Sequence, residues 1–219
     1  PPDERTAYLA KLAKACRHPA IPPHQADLLY KILTSALPMG PSKFTGPTNA
    51  HKAKCQRAGC NAKNTMETLT HAFMECPTAR TAVEAILKRW EYTTGEQLDP
   101  TNESTILFGD RESNIKLPSQ ALDEPFRVMH AALIHTLWDA RNATVHEKDK
   151  PPLSAKEIVK RTMKLTQTRA NFLFHQAKER KQLAAFEMKW LTTGIAEFQK
   201  RALKIKLPPP PAAPLAPRK

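Results

Sequence analysis

A cluster of metal-binding residue types between positions 55 and 76 constrains this chain more than any other feature. Three of the four cysteines and one histidine lie in these 22 residues, as Cys55, Cys60, His71 and Cys76. Two close ligands, a spacer and two further close ligands are typical of a tetrahedral zinc site. The pattern predicts one structural Zn²⁺ in a closed site with no open position for catalysis. The alternative is a set of ordinary buried cysteines beside a surface histidine, with no metal.

The spacing within the cluster predicts its local structure. Gly59 allows a tight turn between the first two cysteines, and apolar positions predict a helix over residues 65–73. Residues five positions apart, as His71 and Cys76 are, do not align on an unbroken α-helix. We therefore expect the helix to end near Glu75, with Pro77 helping to end it.

Apolar residues recur at helical spacing along most of the chain. They predict a mainly α fold: an irregular helical domain with a small CCHC zinc-knuckle insertion and a long basic C-terminal helix. The predicted helices cover residues 3–16, 24–37, 78–92, 124–146 and 154 to about 192. Strand pairing is expected only in the loops flanking Cys55 and Cys60 and near Ile106.

Breaks that contain proline suggest how the chain is divided. Residues 1–150 are expected to form a helical domain that contains the CCHC motif, and residues 151–206 a long basic amphipathic helical segment. Residues 207–219 form a proline-rich tail, which is either a linker or a ligand for an SH3-like partner. Because the chain starts Pro-Pro-Asp without an initiator Met, we expect a fragment or a processed product.

The charge of the chain favours a polyanionic partner. The formal net charge is +13, and residues 154–206 hold thirteen Lys or Arg against four Glu. Nucleic acid and an anionic membrane surface both fit this balance. No apolar run is long enough to span a membrane, and no secretory signal is visible. Sparse, clustered cysteines are typical of a reducing compartment, so we expect a nuclear and cytoplasmic protein that is not bound to membranes.

Basic residues near the motif and in the C-terminal segment are candidates for phosphate contacts. The candidates are Lys52, Lys54, Arg57, Lys63, Arg141, Lys156, Lys160 and Lys164. The alternative for the lysines is a solvated face, and the alternative for Arg141 is a carboxylate partner inside the fold. Three aromatic residues of the C-terminal segment, Phe172, Phe174 and Trp190, are expected to be core.

Three segments of the chain carry a family resemblance. They are a helix with a Leu-Pro end at 29–38, a Glu-Thr-x-x-His-x-Phe-x-x-Cys-Pro segment at 67–77, and a Trp-x-x-Arg-Asn segment at 138–142. In this order they resemble the zinc-binding region carboxy-terminal to non-LTR retrotransposon reverse transcriptases. The gaps between the ligands are wider here than is usual in that family.

The resemblance implies a role beside a polymerase. It implies binding of element RNA or target DNA, with the polymerase portion of the same polyprotein as a partner. No Tyr-x-Asp-Asp-like motif lies in the chain, so we expect no enzymatic activity of its own. A helical protein-interaction scaffold is the alternative from another class. A residual nuclease is a further alternative, although its acidic pieces at 123–124, 147, 149–150 and 187–189 lack a strand context.

Overall fold

The computed structural model describes residues 3–40, 43–44, 50–111, 119–147, 151–199 and 202–209. Over these residues the chain is mainly helical, as predicted, with one small two-stranded sheet. The α-helices are α1 Glu4–Cys16, α2 Pro23–Leu33, α3 Ala58–Asn61, α4 Pro77–Thr94, α5 Glu103–Phe108, α6 Ser119–His146, α7 Ala155–Glu179 and α8 Leu183–Trp190. A 3₁₀ turn at Ala50–Ala53 and a π-helical turn at His71–Glu75 flank the metal motif, and the strands are β1 Ala196–Gln199 and β2 Ala202–Ile205.

Helix α6 lies at the centre of the fold because apolar side chains occupy most of its sides. Val128, Met129, Ile134 and Leu137 are each almost completely buried. Helices α2, α7 and α8 and the π-helical turn pack around it. The predicted helix at 124–146 is therefore confirmed, with an earlier start at Ser119.

Helix α4 connects the metal motif to the rest of the core. Pro77 occupies its first turn, where the missing N–H leaves no bond unmade, and Gly95 ends the helix in the left-handed region with φ of 73°. Trp90 on its inner face is fully buried. The indole Nε1 of Trp90 donates to Oε2 of Glu96 over 2.8 Å, so the polar atom of this ring is satisfied inside the core.

The predicted long C-terminal helix is two helices in the structure. Ser154 and Glu157 form the expected capping box at the start of α7. The chain leaves the helix after Glu179, and Lys181 adopts a positive φ of 57° before α8 begins. This turn lets Phe186 and Trp190 reach the core, where each is at most 4% exposed. Burial of these rings explains why one continuous helix does not form.

The hairpin of β1 and β2 is missing from the sequence prediction, which reads this region as helical. The strands pair antiparallel, with Ala196 opposite Ile205. The side-chain amide of Gln167 on α7 accepts from the Ile205 amide and donates to the Leu203 carbonyl, each at 2.8 Å. The expected strand near Ile106 is wrong: this residue lies in α5, whose first turn is capped by the Asn102 side chain.

One hydrophobic cluster spans the predicted boundary at 150/151. It contains Trp90 and Phe126 from one side and Ile158, Leu173 and Phe186 from the other. None of the described helices combines the length and the apolar composition that are needed to span a bilayer. The proline tail, predicted as 207–219, is described only to residue 209, so that prediction falls largely outside the described residues.

Candidate metal centre

The first two candidate ligands lie on a short hairpin-like loop. Lys54 and Met66 form an antiparallel bridge, and the amide of Cys55 donates to the Thr65 carbonyl over 2.9 Å. The bridge agrees with the strand pairing expected beside Cys55. It also shows that the predicted helix start at 65 is wrong, because residues 65 and 66 are used in this pairing and helical structure begins only at Leu69.

The second two ligands are brought together by a π-helical turn. The amide of Cys76 donates to the His71 carbonyl over 2.8 Å, a hydrogen bond between residues five positions apart. On an α-helix, residues at this spacing point about 140° apart. The wider turn removes that mismatch, and such turns are frequent at functional sites. The helical segment then ends at Glu75, as predicted, and Pro77 starts α4.

The structure brings all four predicted ligands into one buried cluster. The donor atoms of Cys55, Cys60, His71 and Cys76 all lie within 4.8 Å of one another. Each residue is at most 5% exposed. The sulfurs of Cys60 and Cys76 are 3.9 Å apart, far beyond a disulfide bond of about 2 Å. Three free thiols and one imidazole at these distances can hold a metal ion.

The imidazole of His71 is oriented toward such an ion. Its Nε2 is buried and has no hydrogen-bond partner, whereas its Nδ1 lies 4.0 Å from Oε2 of Glu75. A buried polar atom without a partner is costly unless something satisfies it. Nε2 is therefore the atom available for coordination, with the carboxylate on the other side of the ring.

Arg57 lies inside the cluster and not on the surface. It is 5% exposed, and its Nη1 donates to Sγ of Cys76 over 3.0 Å. A hydrogen bond from the Cys55 thiol and the charge of Arg57 lower the pKa of Cys76. The same bond and burial raise the pKa of Cys55, and burial raises that of Cys60. Negative charge in this cluster is thus stabilised first at Cys76.

A second buried cation, Arg141, pairs with Glu67. The Nε of Arg141 is 3.5 Å from Oε1 of Glu67, and both side chains are nearly fully buried. Nη2 of Arg141 also donates to the Lys52 carbonyl over 3.3 Å. This bond connects α6 to the segment 52–66, here called the metal loop, which carries Cys55 and Cys60. Arg141 therefore has the carboxylate partner inside the fold that the sequence analysis gave as the alternative to a phosphate contact. The sequence analysis did not identify Glu67 as that partner, although Glu67 lies in the segment that carries the family resemblance.

The remaining predicted phosphate contacts form two separate groups. Lys52 and Lys54 are half-buried and Lys63 is exposed in the metal loop, whereas Lys156, Lys160 and Lys164 are exposed on α7. None of these six makes a side-chain ion pair within the described part of the chain. Helix α6 lies between the two groups. Its residue Arg141 contacts the Lys52 carbonyl on one side. Its residues Asp139 and Ala143 line a groove beside α7 and lie about 160° around the helix from Arg141.

Two of the acidic residues considered for a nuclease, Asp123 and Glu124, have structural partners. Asp123 accepts from Arg127 over 2.6 Å. Glu124 pairs with Lys189 over 2.7 Å and accepts from Trp190 over 3.0 Å. Residues 149 and 150 lie outside the described residues. The aromatic prediction is correct for Phe174 and Trp190, whereas Phe172 is exposed.

Comparison with protein-family models, with curated proteins and with solved structures yields no match to this chain.

Proposed function

We propose that the Cys₃His cluster binds one structural Zn²⁺ and that the chain is a non-enzymatic nucleic-acid-binding region that accompanies a reverse transcriptase. The observation that carries the nucleic-acid role is the exposed basic surface on the first half of α7. The metal keeps the loop of Cys55 and Cys60 attached to the start of α4. The family resemblance supplies the polymerase as a partner.

Zinc fits the donor set and its geometry. Zinc–sulfur bonds of about 2.3 Å in a tetrahedron place the sulfurs about 3.8 Å apart, close to the 3.9 Å between Cys60 and Cys76. Thiolate and imidazole are ligands that suit zinc. With four protein ligands the ion has no open position, which supports a structural role over a catalytic one.

Buried charges around the cluster also favour a divalent ion. Three thiolates and Zn²⁺ carry a net charge of −1, which Arg57 balances. Glu67 and Arg141 balance each other. A buried site whose charges cancel avoids the large cost of an uncompensated buried charge.

The first half of α7 has the charge that a phosphate backbone requires. Lys156, Lys160 and Lys164 follow one another at intervals of one turn and are exposed. The only acid between residues 155 and 178 is Glu157. Its carboxylate accepts from the backbone and hydroxyl of Ser154 at 2.8 and 2.7 Å and also interacts with the charges of Arg161 and Lys160. Six Lys or Arg against this one Glu still leave residues 155–178 strongly basic. Phosphate contacts from this face would be independent of sequence.

A salt series tests the nucleic-acid role. The zinc-loaded protein should bind single-stranded RNA with an affinity that falls steeply as salt rises. Changing Lys156, Lys160 and Lys164 together to Gln should reduce the slope of log affinity against log salt by roughly 2 to 3. The matched control changes three other exposed lysines to Gln: Lys14, Lys88 and Lys204.

Three outcomes would decide against this role. An equal loss of affinity in the control would show that net charge alone attracts the nucleic acid. Absence of binding to single-stranded RNA and to duplex DNA at low salt would favour a protein-interaction scaffold. Cleavage of nucleic acid that depends on Mg²⁺ would favour a nuclease.

A further inference from the structure

Helix α7 carries a straight, exposed stripe that continues beyond the three lysines. Residues at spacings of three and four lie on one side of a helix, and the stripe consists of Arg161, Lys164, Thr168, Phe172 and His175. All five are exposed. No acidic residue occurs between positions 158 and 178. The stripe is therefore basic at one end and aromatic at the other.

Phe172 is a large apolar residue in an exposed position, whereas the neighbouring Phe174 packs against the core. Phe174 turns inward, with ring centroids 5.5 Å from Phe186 and 5.2 Å from Phe198. The side chain of Phe172 instead stays in solvent at 50% exposure. Because half of the Phe172 side chain remains in water, the ring contributes less to the stability of the fold than a buried ring would.

Arg169 supports the Phe172 ring from one side. Its guanidinium carbon lies 4.5 Å from the ring centroid. The guanidinium is itself held by two carbonyls of the α1–α2 loop: Nε donates to Ala20 over 2.6 Å and Nη2 donates to Pro19 over 3.0 Å. The ring is thus ordered by a fixed cation, while the rest of its surface remains accessible.

We propose that Phe172 is a stacking platform for an unpaired base of single-stranded nucleic acid, with Arg161 and Lys164 contacting the adjoining phosphates. This inference rests on the proposed function and narrows it to single strands. Bases in a duplex already stack on one another, whereas unpaired bases stack on aromatic side chains. Positive charge beside an ordered, accessible ring is the combination that such binding uses.

Oligonucleotides with and without bases test the platform. The probes are a short fluorescein-labelled oligoadenylate, an abasic oligonucleotide of the same length and charge, and a duplex. Phe172→Ala should weaken oligoadenylate binding by roughly 5- to 150-fold, the range expected for loss of one stacked base. Its affinity for the abasic strand and for the duplex should stay within about two-fold of the wild type, because the phosphate contacts remain.

Further variants separate stacking from stability. Phe172→Trp should bind oligoadenylate at least as well as the wild type, and Phe172→Leu, which keeps apolar volume but removes the ring, should weaken it. Tyr92→Ala removes an aromatic side chain that is 56% exposed on α4 and should change nothing. Circular dichroism and the unfolding midpoint verify that each variant is folded.

The failures of the two proposals are distinguishable. If Phe172→Ala and Phe172→Leu bind oligoadenylate as the wild type does, while the lysine variant still loses affinity, the platform is wrong and the nucleic-acid role stands. An equal loss on the abasic strand would also overturn stacking. If the wild type binds none of the three probes at low salt, both proposals are wrong.

Discussion

The guanidinium of Arg57 and the sulfur of Cys76 form a buried hydrogen bond of 3.0 Å within the Cys₃His cluster. Arg57 is separated from Cys76 by nineteen positions in the chain, so the bond connects the first ligand loop to the second. A hydrogen bond to a thiolate from a charged donor stabilises the form of cysteine that binds a metal. Arg57 is therefore a positioning residue for the proposed zinc site.

Removing this contact should weaken metal binding. Arg57→Gln should lower zinc affinity by roughly 10- to 100-fold, as is typical when an outer partner of a ligand is lost. Competition with a chromogenic chelator measures the change. Lys63→Gln, an exposed change in the same loop, is the control and should leave the affinity unaltered. Equal affinities for the two variants would show that Arg57 has no part in metal binding.

The Glu67–Arg141 pair should behave as a buried ion pair. Arg141→Met leaves Glu67 without its cation and should lower the free energy of unfolding by about 3 to 5 kcal/mol. The double variant Glu67→Leu with Arg141→Met should lose less than the sum of the single changes, because no charge is left unpaired. Urea unfolding of the zinc-loaded proteins measures both.

An exposed pair provides the comparison for this prediction. Lys31 and Asp27 form a surface ion pair at 2.7 Å, and Lys31→Ala should cost at most about 1 kcal/mol. If Arg141→Met costs no more than Lys31→Ala, the buried pair does not stabilise the fold as described.

His130 should make stability depend on pH. Burial lowers the pKa of His130 to about 4, outweighing its hydrogen bond to the Ile106 carbonyl, and Arg127 lowers it further. The unfolded chain has the higher pKa, so this contribution is complete above about pH 6.5 and is lost as pH falls toward 4. The loss amounts to roughly 3 kcal/mol.

Variants isolate this contribution from the pH dependence of the metal site. Between about pH 7 and about pH 5, the unfolding free energy of His130→Gln should change less than that of the wild type. His146→Gln, at an exposed position at the end of α6, should follow the wild type. Identical slopes for wild type and His130→Gln would contradict the buried, neutral state of this ring.

The helices and the ligand set could be predicted from sequence because both depend on local spacing. The apolar stripe of α6 and the proline at the start of α4 are visible in the residue order. The break near Lys181 could not be predicted in this way, since it results from burial of Phe186 and Trp190 against distant helices. The hairpin likewise depends on Gln167, which lies some forty residues away.

The arrangement of charged residues around the four ligands could not be predicted from the sequence either. Basic residues such as Arg57 and Arg141 look alike in sequence whether they face solvent or a buried anion. Only their partners, Cys76 and Glu67, distinguish the two cases. The π-helical turn could not be predicted for a similar reason. The five-residue spacing of His71 and Cys76 shows that an α-helix would not align the two ligands, but it does not show that a wider helical turn aligns them.

Metal content tests the central claim most directly. The chain, purified in reducing buffer without added chelator, should contain one zinc per molecule by elemental analysis. Cys60→Ser should lose the zinc, whereas Cys16→Ser, which changes the buried cysteine outside the cluster, should retain it. A folded wild-type protein with no bound metal, or equal zinc content in the Cys60→Ser variant, would contradict the account.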